Sequence, residues 1–163
     1  MISRTETTGP NTVFYSWQSY LPETKEIIHW ALEKAIQNVN RELILDDALR
    51  LDQDTQNVPG WPEITSIILD KITECEIFVA DITPINGPLS ESKLTPNPNV
   101  LLELGYALET GSGRTPIICV INTHYLPDND LGRLPFDLRA NRSAQFVLED
   151  PAHRSTTSKK SHV

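Results

Sequence analysis

Pro96-Asn97-Pro98-Asn99-Val100-Leu101-Leu102-Glu103-Leu104-Gly105-Tyr106-Ala107-Leu108 is the stretch that decides the fold. Asn97 can accept from the free N–H groups of a helix start, and Pro98 has the fixed φ that suits the first helical position. Val100, Leu101, Leu104, Ala107 and Leu108 recur at helical spacing and form one apolar face. Glu103 falls off that face, in line with Asn99 and Tyr106. Upstream, Glu76-Ile77-Phe78-Val79-Ala80-Asp81 is an apolar run suited to a central parallel strand covered on both faces. Glu103 then hangs about a turn and a half into the helix that follows that strand. Open α/β sheets bind ligands at the carboxyl ends of their strands.

The same alternation extends in both directions. Thr12 to Tyr15 reads as a first strand, ending in the polar Ser16-Trp17-Gln18-Ser19. Ile27, Ile28, Ala31, Leu32, Ala35, Ile36 and Val39 trace a helical stripe between Glu23 and Asn40. Leu43 to Leu45 is a brief second strand, and Leu51 to Gly60 a polar loop closed by a Pro-Gly turn. Trp61 to Glu74 is a second helix, through Ile64, Ile67, Ile68 and Ile72. Ile82 to Thr95, rich in Pro, Ser and Gly, is expected to be an exposed, mobile connection. The Glu103 helix should stop near Gly111. Pro116 to Ile121 is a fourth, fully apolar strand, His124 to Arg142 a loop with room for a helical turn, and Ser143 to Leu148 a fifth strand. Residues 1–11 and 150–163 have little to bury, so a flexible N-terminus and a disordered tail are expected to flank one domain, 12–149.

Strands alternating with helices imply a parallel sheet with right-handed crossovers. Five strands fit a flavodoxin-like three-layer sandwich of order 2-1-3-4-5. In that order a crevice opens where strands one and three part. Three polar stretches leave the strands there: Ser16 to Ser19, Asp52 to Gly60, and Asp81 onward to Glu103.

Bulk properties narrow the function. The 163 residues carry a formal charge of −8, which disfavours a nucleic-acid backbone as partner but leaves a single nucleotide open. No apolar run approaches the roughly twenty residues of a membrane span, and residues 1–11 lack the apolar core of a secretion signal. A cytoplasmic protein is expected. Cys75 and Cys119 each sit beside an apolar run and read as buried free thiols. His29, His124, His153 and His162 are scattered without ligand spacing, so no metal is expected.

Taken in order, Val13-Phe14-Tyr15-Ser16-Trp17-Gln18-Ser19, Leu51 to Gly60, Ile77 to Asp81, Asn97-Pro98-Asn99-Val100 with Glu103-Leu104-Gly105-Tyr106-Ala107, and Leu134-Pro135-Phe136-Asp137 resemble bacterial Toll/interleukin-1 receptor-type (TIR) domains of the nucleotide-binding TIR-like group. The resemblance spans about residues 12 to 149. It implies cleavage of NAD at the nicotinamide–ribose bond by Glu103, with NAD as substrate and no cofactor. It also implies assembly through TIR surfaces and a role in antiphage defence. The segment Glu103 to Ala107 is similar as well to nucleoside 2-deoxyribosyltransferases, which cut an N-glycosidic bond through a glutamate. The Asn-Pro-Asn before Glu103 departs from the Ser/Cys-rich segment of animal TIR enzymes.

The chemistry agrees with a single carboxylate. Breaking an N-ribosidic bond passes through an oxocarbenium-like transition state, which one carboxylate can stabilise or capture. Nicotinamide leaves NAD from a cationic state and needs no general acid. The substrate-facing candidates are Ser16, Trp17, Gln18, Asp52, Gly60, Asp81, Asn99 and Tyr106. Trp17 or Tyr106 could stack on a base, although Trp17 could equally pack over the sheet edge. Asp52 reads more readily as a turn former, and Asp81 as the cap of the turn after its strand. A binding module that senses a nucleotide, or assembles without chemistry, is the rival to an enzyme.

Overall fold

The computed structural model describes residues 11–42, 48–53, 61–86, 93–110, 115–139 and 142–149, with nothing said of the side chains at 61–63. The expected N-terminal and C-terminal flanks, the proposed strand at Leu43 to Leu45, the helix stop at Gly111 and most of the Asp52–Gly60 segment, including Gly60, lie outside these residues.

The strands are β1 (Thr12–Ser16), β2 (Arg50–Asp52), β3 (Ile77–Asp81), β4 (Ile117–Asn122) and β5 (Ser143–Phe146). All pair in parallel, in the order β2-β1-β3-β4-β5. Three main helices intervene: α1 (Pro22–Glu42), α2 (Trp61–Glu74) and α3 (Pro98–Thr110). The order is the one that alternating strands and helices imply, and the fold is a three-layer α/β sandwich.

Side-chain alternation along the strands divides the core into two. Phe14, Phe78, Ala80, Cys119 and Ile121 point to the face covered by Ile68, Leu69 and Ile72 of α2 and by Val100, Leu104 and Ala107 of α3. Val13, Tyr15, Val79 and Val120 point to the other face, covered by Ile27, Ile28, Leu32 and Ile36 of α1. Both cysteines are buried and free.

Four expectations change. Leu51 and Asp52 belong to β2 rather than to a loop, because Leu51 packs on the α1 side while Asp52 turns to the α2 side. Leu108 leaves the apolar face of α3 and is 56% exposed, since Val100, Leu104 and Ala107 already fill the contact with the sheet. Ile118, in the fully apolar fourth strand, is 41% exposed, with one helix, α1, covering that side of the sheet among the described residues. The connection after β3 is buried at both described ends. Ile82, Thr83 and Leu94 are inaccessible, Pro84 bridges Pro96, and Ile85 donates to the Thr95 carbonyl. The region from His124 onward winds through three single 3₁₀ turns, Thr123–Tyr125, Pro127–Asn129 and Leu131–Arg133, into α4 (Phe136–Arg139). Its Leu126 and Leu134 plug into the α3 side of the core.

Candidate active site

β1 and β3 run side by side, with Ser16 opposite Ala80 at the last register position. The chain leaves β1 toward α1 and β2 on one hand, and β3 leads through α3 to β4 on the other. The seam between β1 and β3 is therefore the switch point of the sheet. Ser16 closes β1 with its side chain on the α3 face, following the alternation set by Phe14.

Glu103 meets it from above. Asn97 starts α3 by accepting the Asn99 N–H at 2.8 Å, and Leu101 N–H bonds the Asn97 carbonyl. The helix is docked by Val100, Leu104 and Ala107, which turns Glu103 toward the seam. Ser16 Oγ donates to Glu103 Oε2 at 2.5 Å. Oε1 has no protein hydrogen-bond partner among the described residues. Burial pushes the Glu103 carboxyl above its ordinary range, and the Ser16 bond pulls it part of the way back.

The other residues expected at the site separate. Trp17 lies toward the α1 side, its indole N–H donating to the Gln53 carbonyl at 2.7 Å and its ring carrying Lys25 Nζ 3.2 Å from the centroid. Asp52 pairs with Lys71 of α2 at 2.8 Å. Tyr106 contacts Thr73 of α2 at 3.2 Å, near the end where α2 hands the chain to β3. Asn99 is exposed in the first turn of α3.

Asp81 ends β3 on the α1 face, following Val79, and is fully buried. Its Oδ1 accepts the Thr83 N–H at 3.0 Å, which is the capping role open to it from sequence. Its Oδ2 has no partner, and neither has Gln18 Nε2 or the Tyr15 hydroxyl, both buried. The Gln18 amide lies near enough to favour the Asp81 charge without completing a bond, and burial prevails, raising the Asp81 carboxyl. Gln18 Oε1 accepts the Tyr20 N–H, tightening the turn between β1 and α1.

Asn122, the last residue of β4, is the organising residue that sequence reasoning missed. Its amide donates to Thr24 Oγ and the Leu148 carbonyl, and accepts from the Leu148 and His124 N–H groups. Its own N–H donates to Thr83 Oγ. It joins α1, the loop after β3 and the end of β5. A polar residue closing an apolar strand was the available signal. Among the described residues no group of three or more His, Cys, Asp or Glu could hold a metal, and no helix is long and apolar enough to cross a membrane.

No family model matches the chain, and no curated protein matches it. Among solved structures, it is similar to the CMP N-glycosidase BcmB of Clostridium botulinum, with 15% identity, a TM-score of 0.48, and coverage of 90% of this chain and 97% of that one. It is also similar to a 2-deoxyribosyltransferase from Leishmania mexicana, with 18% identity, a TM-score of 0.46, and coverage of 94% and 100%. At these identities and scores nothing about activity passes from those proteins to this chain.

Proposed function

We propose that this protein is an N-glycosidase acting on a nucleoside or nucleotide, with Glu103 as the catalytic carboxylate. The observation that carries the reading is the Ser16–Glu103 hydrogen bond at the β1/β3 switch point. It fixes one carboxylate oxygen and leaves the other without a hydrogen-bond partner among the described residues, at the carboxyl end of the sheet where such folds take ligands. A carboxylate so held can face the anomeric carbon as the ribose gains oxocarbenium character, either stabilising the charge or forming a glycosyl ester that water then opens. Partial desolvation strengthens that interaction relative to one in bulk water.

The leaving group sets the remaining demand. A neutral base must gain a proton as it departs, whereas nicotinamide departs from NAD already cationic. NAD thus needs least beyond Glu103, and the sequence resemblance to TIR-like domains favours it. Nucleosides and their monophosphates belong to the same bond class.

The test is chromatography of purified protein incubated with NAD, a ribonucleoside monophosphate and a 2′-deoxynucleoside, the last with and without a second free base. Release of base or nicotinamide supports the reading and identifies the substrate. Base exchange identifies a transferase. Ligand-induced thermal stabilisation with no product in any arm would instead make the crevice a sensor.

A further inference from the structure

Asn86 lies outside the site described above, on the segment that carries the chain from β3 to α3, and its side chain ties the two arms of that segment together. Its Oδ1 accepts the Thr95 N–H at 2.8 Å, and its Nδ2 donates to the Lys93 carbonyl at 3.0 Å. Next to it, the Ile85 N–H donates to the Thr95 carbonyl, and Pro84 bridges Pro96. The Leu94 N–H turns away from the outgoing arm to the Arg133 carbonyl. There the Asn86 amide takes over, since it carries a donor and an acceptor as a peptide group does.

The returning arm leads straight into α3. Leu94 is inaccessible and belongs to the same core cluster as Val100 and Leu104. Pro96 and Asn97 follow, both buried, and Asn97 caps the first turn. Glu103 stands in the second turn. The apolar contacts of Val100, Leu104 and Ala107 decide which face of α3 meets the sheet, but such contacts have little directionality along the helix axis. The 2.5 Å hydrogen bond from Ser16 Oγ to Glu103 Oε2 is far more sensitive to a slide of the helix. We propose that Asn86 is a positioning residue: by clasping the returning arm to the outgoing one it sets the height at which α3 begins, and so holds Glu103 against Ser16. The proposal rests on the N-glycosidase reading only in taking Glu103 as the reacting group. The geometry it concerns exists without substrate.

Asn40 supplies a matched control. It makes the same pair of bonds, Nδ2 to the Leu49 carbonyl at 2.9 Å and Oδ1 from the Leu49 N–H at 2.8 Å, near the end of α1 that leads to β2. That is the amino-terminal end of the strands, whereas Ser16 and Glu103 meet at the carboxyl end.

Carbon-detected NMR titration of the carboxyls, together with initial rates, tests the proposal in the parent, Asn86→Ala, Asn86→Asp and Asn40→Ala. A hydroxyl donating to a carboxylate favours its charged form, so loosening the Ser16 bond must raise the Glu103 midpoint. Asn86→Ala is expected to raise that midpoint and to lower kcat about tenfold or more. Asn86→Asp keeps the acceptor for Thr95 and loses the donor to Lys93, so it should fall between Asn86→Ala and the parent. It is titrated in about 0.5 M salt, which screens the added charge. Asn40→Ala should cost at least as much stability, because its bonds are less exposed, and leave the Glu103 midpoint and kcat at parent values. A parent-like midpoint in folded Asn86→Ala would overturn the proposal, as would the same rise in Asn40→Ala. Should Asn86→Ala fail to fold, Asn86→Asp decides by the same criterion. Hydrogen exchange in the parent is a further check: a Thr95 N–H protected from exchange supports the clasp, and one that exchanges like an unfolded chain contradicts it. If the midpoints move as stated while no substrate is cleaved, the positioning role stands and the N-glycosidase reading fails.

Discussion

Ser16 Oγ and Glu103 Oε2, 87 positions apart in sequence, lie 2.5 Å from each other across the seam between β1 and β3. A hydroxyl donating to a half-buried carboxylate favours its charged form while the surroundings oppose it. The two effects together set the protonation and the direction of the one carboxylate at the switch point.

Removing the hydroxyl separates them. Ser16→Ala leaves the half-buried Glu103 without the bond that favours its charge, so its midpoint rises and the acid limb of the pH–rate profile moves to higher pH. Hydrogen bonds to charged groups contribute about 1.5–3 kcal/mol, which corresponds to a rate loss of roughly ten- to a hundredfold if it is fully expressed in the transition state. Initial rates across pH measure both effects.

Stability should respond to pH with a definite sign. Burial raises the folded-state pKa of Glu103 above the ordinary 4.5, and that of Asp81 above 3.8. Between the ordinary and the raised value the folded protein holds more protons than the unfolded chain. Stability therefore falls as pH rises through that window. Glu103→Gln removes one of these groups and should melt higher than the parent near neutral pH, the advantage closing as pH drops below the ordinary carboxylate range. Thermal melts over a pH series read this directly.

Asn122→Ala should be among the most destabilising substitutions outside the apolar core. It leaves the Thr24 hydroxyl and the Leu148 backbone groups without the partners they have in the native state. A loss of about 2–5 kcal/mol is expected, from several bonds at roughly 1 kcal/mol each plus the exposure of buried polar groups. Urea titration would show it as a lower midpoint with an unchanged slope.

Tyr106→Phe should be mild. Its hydroxyl contacts Thr73 between α2 and α3, and its ring packs on the core there. Stability should fall by no more than about 1 kcal/mol, with activity within a factor of two of the parent. A large rise in KM would show instead that the hydroxyl reaches substrate.

The strand order and the Ser16-to-Glu103 convergence were legible because they follow from periodicity and topology. Val79, Ala80 and Ile121 sit where an apolar run says they should, and Asn97 and Pro98 start α3 as their chemistry dictates. What escaped was the side of the sheet. Ser16 and Asp81 both end strands at the same edge, yet opposite parity sends Ser16 to α3 and Asp81 to the α1 side. Trp17 and Asp52 were placed at the same mouth from sequence, but Gln53 and Lys71 engage them elsewhere. Such partners cannot be read from neighbours along the chain. Asn122 was overlooked for the same reason, since its bonds run to residues 26, 39 and 98 positions away.

The most direct measurement is the rate of base or nicotinamide release by the parent and by Glu103→Gln, on whichever substrate of the panel is cleaved. Circular dichroism and melting should confirm that the variant is folded. Gln keeps the size and the hydrogen bond from Ser16 but removes the negative charge, so cleavage should fall by at least about a hundredfold while substrate still binds. A folded Glu103→Gln variant that turns over at the parent rate would contradict the assignment of Glu103 as the catalytic carboxylate.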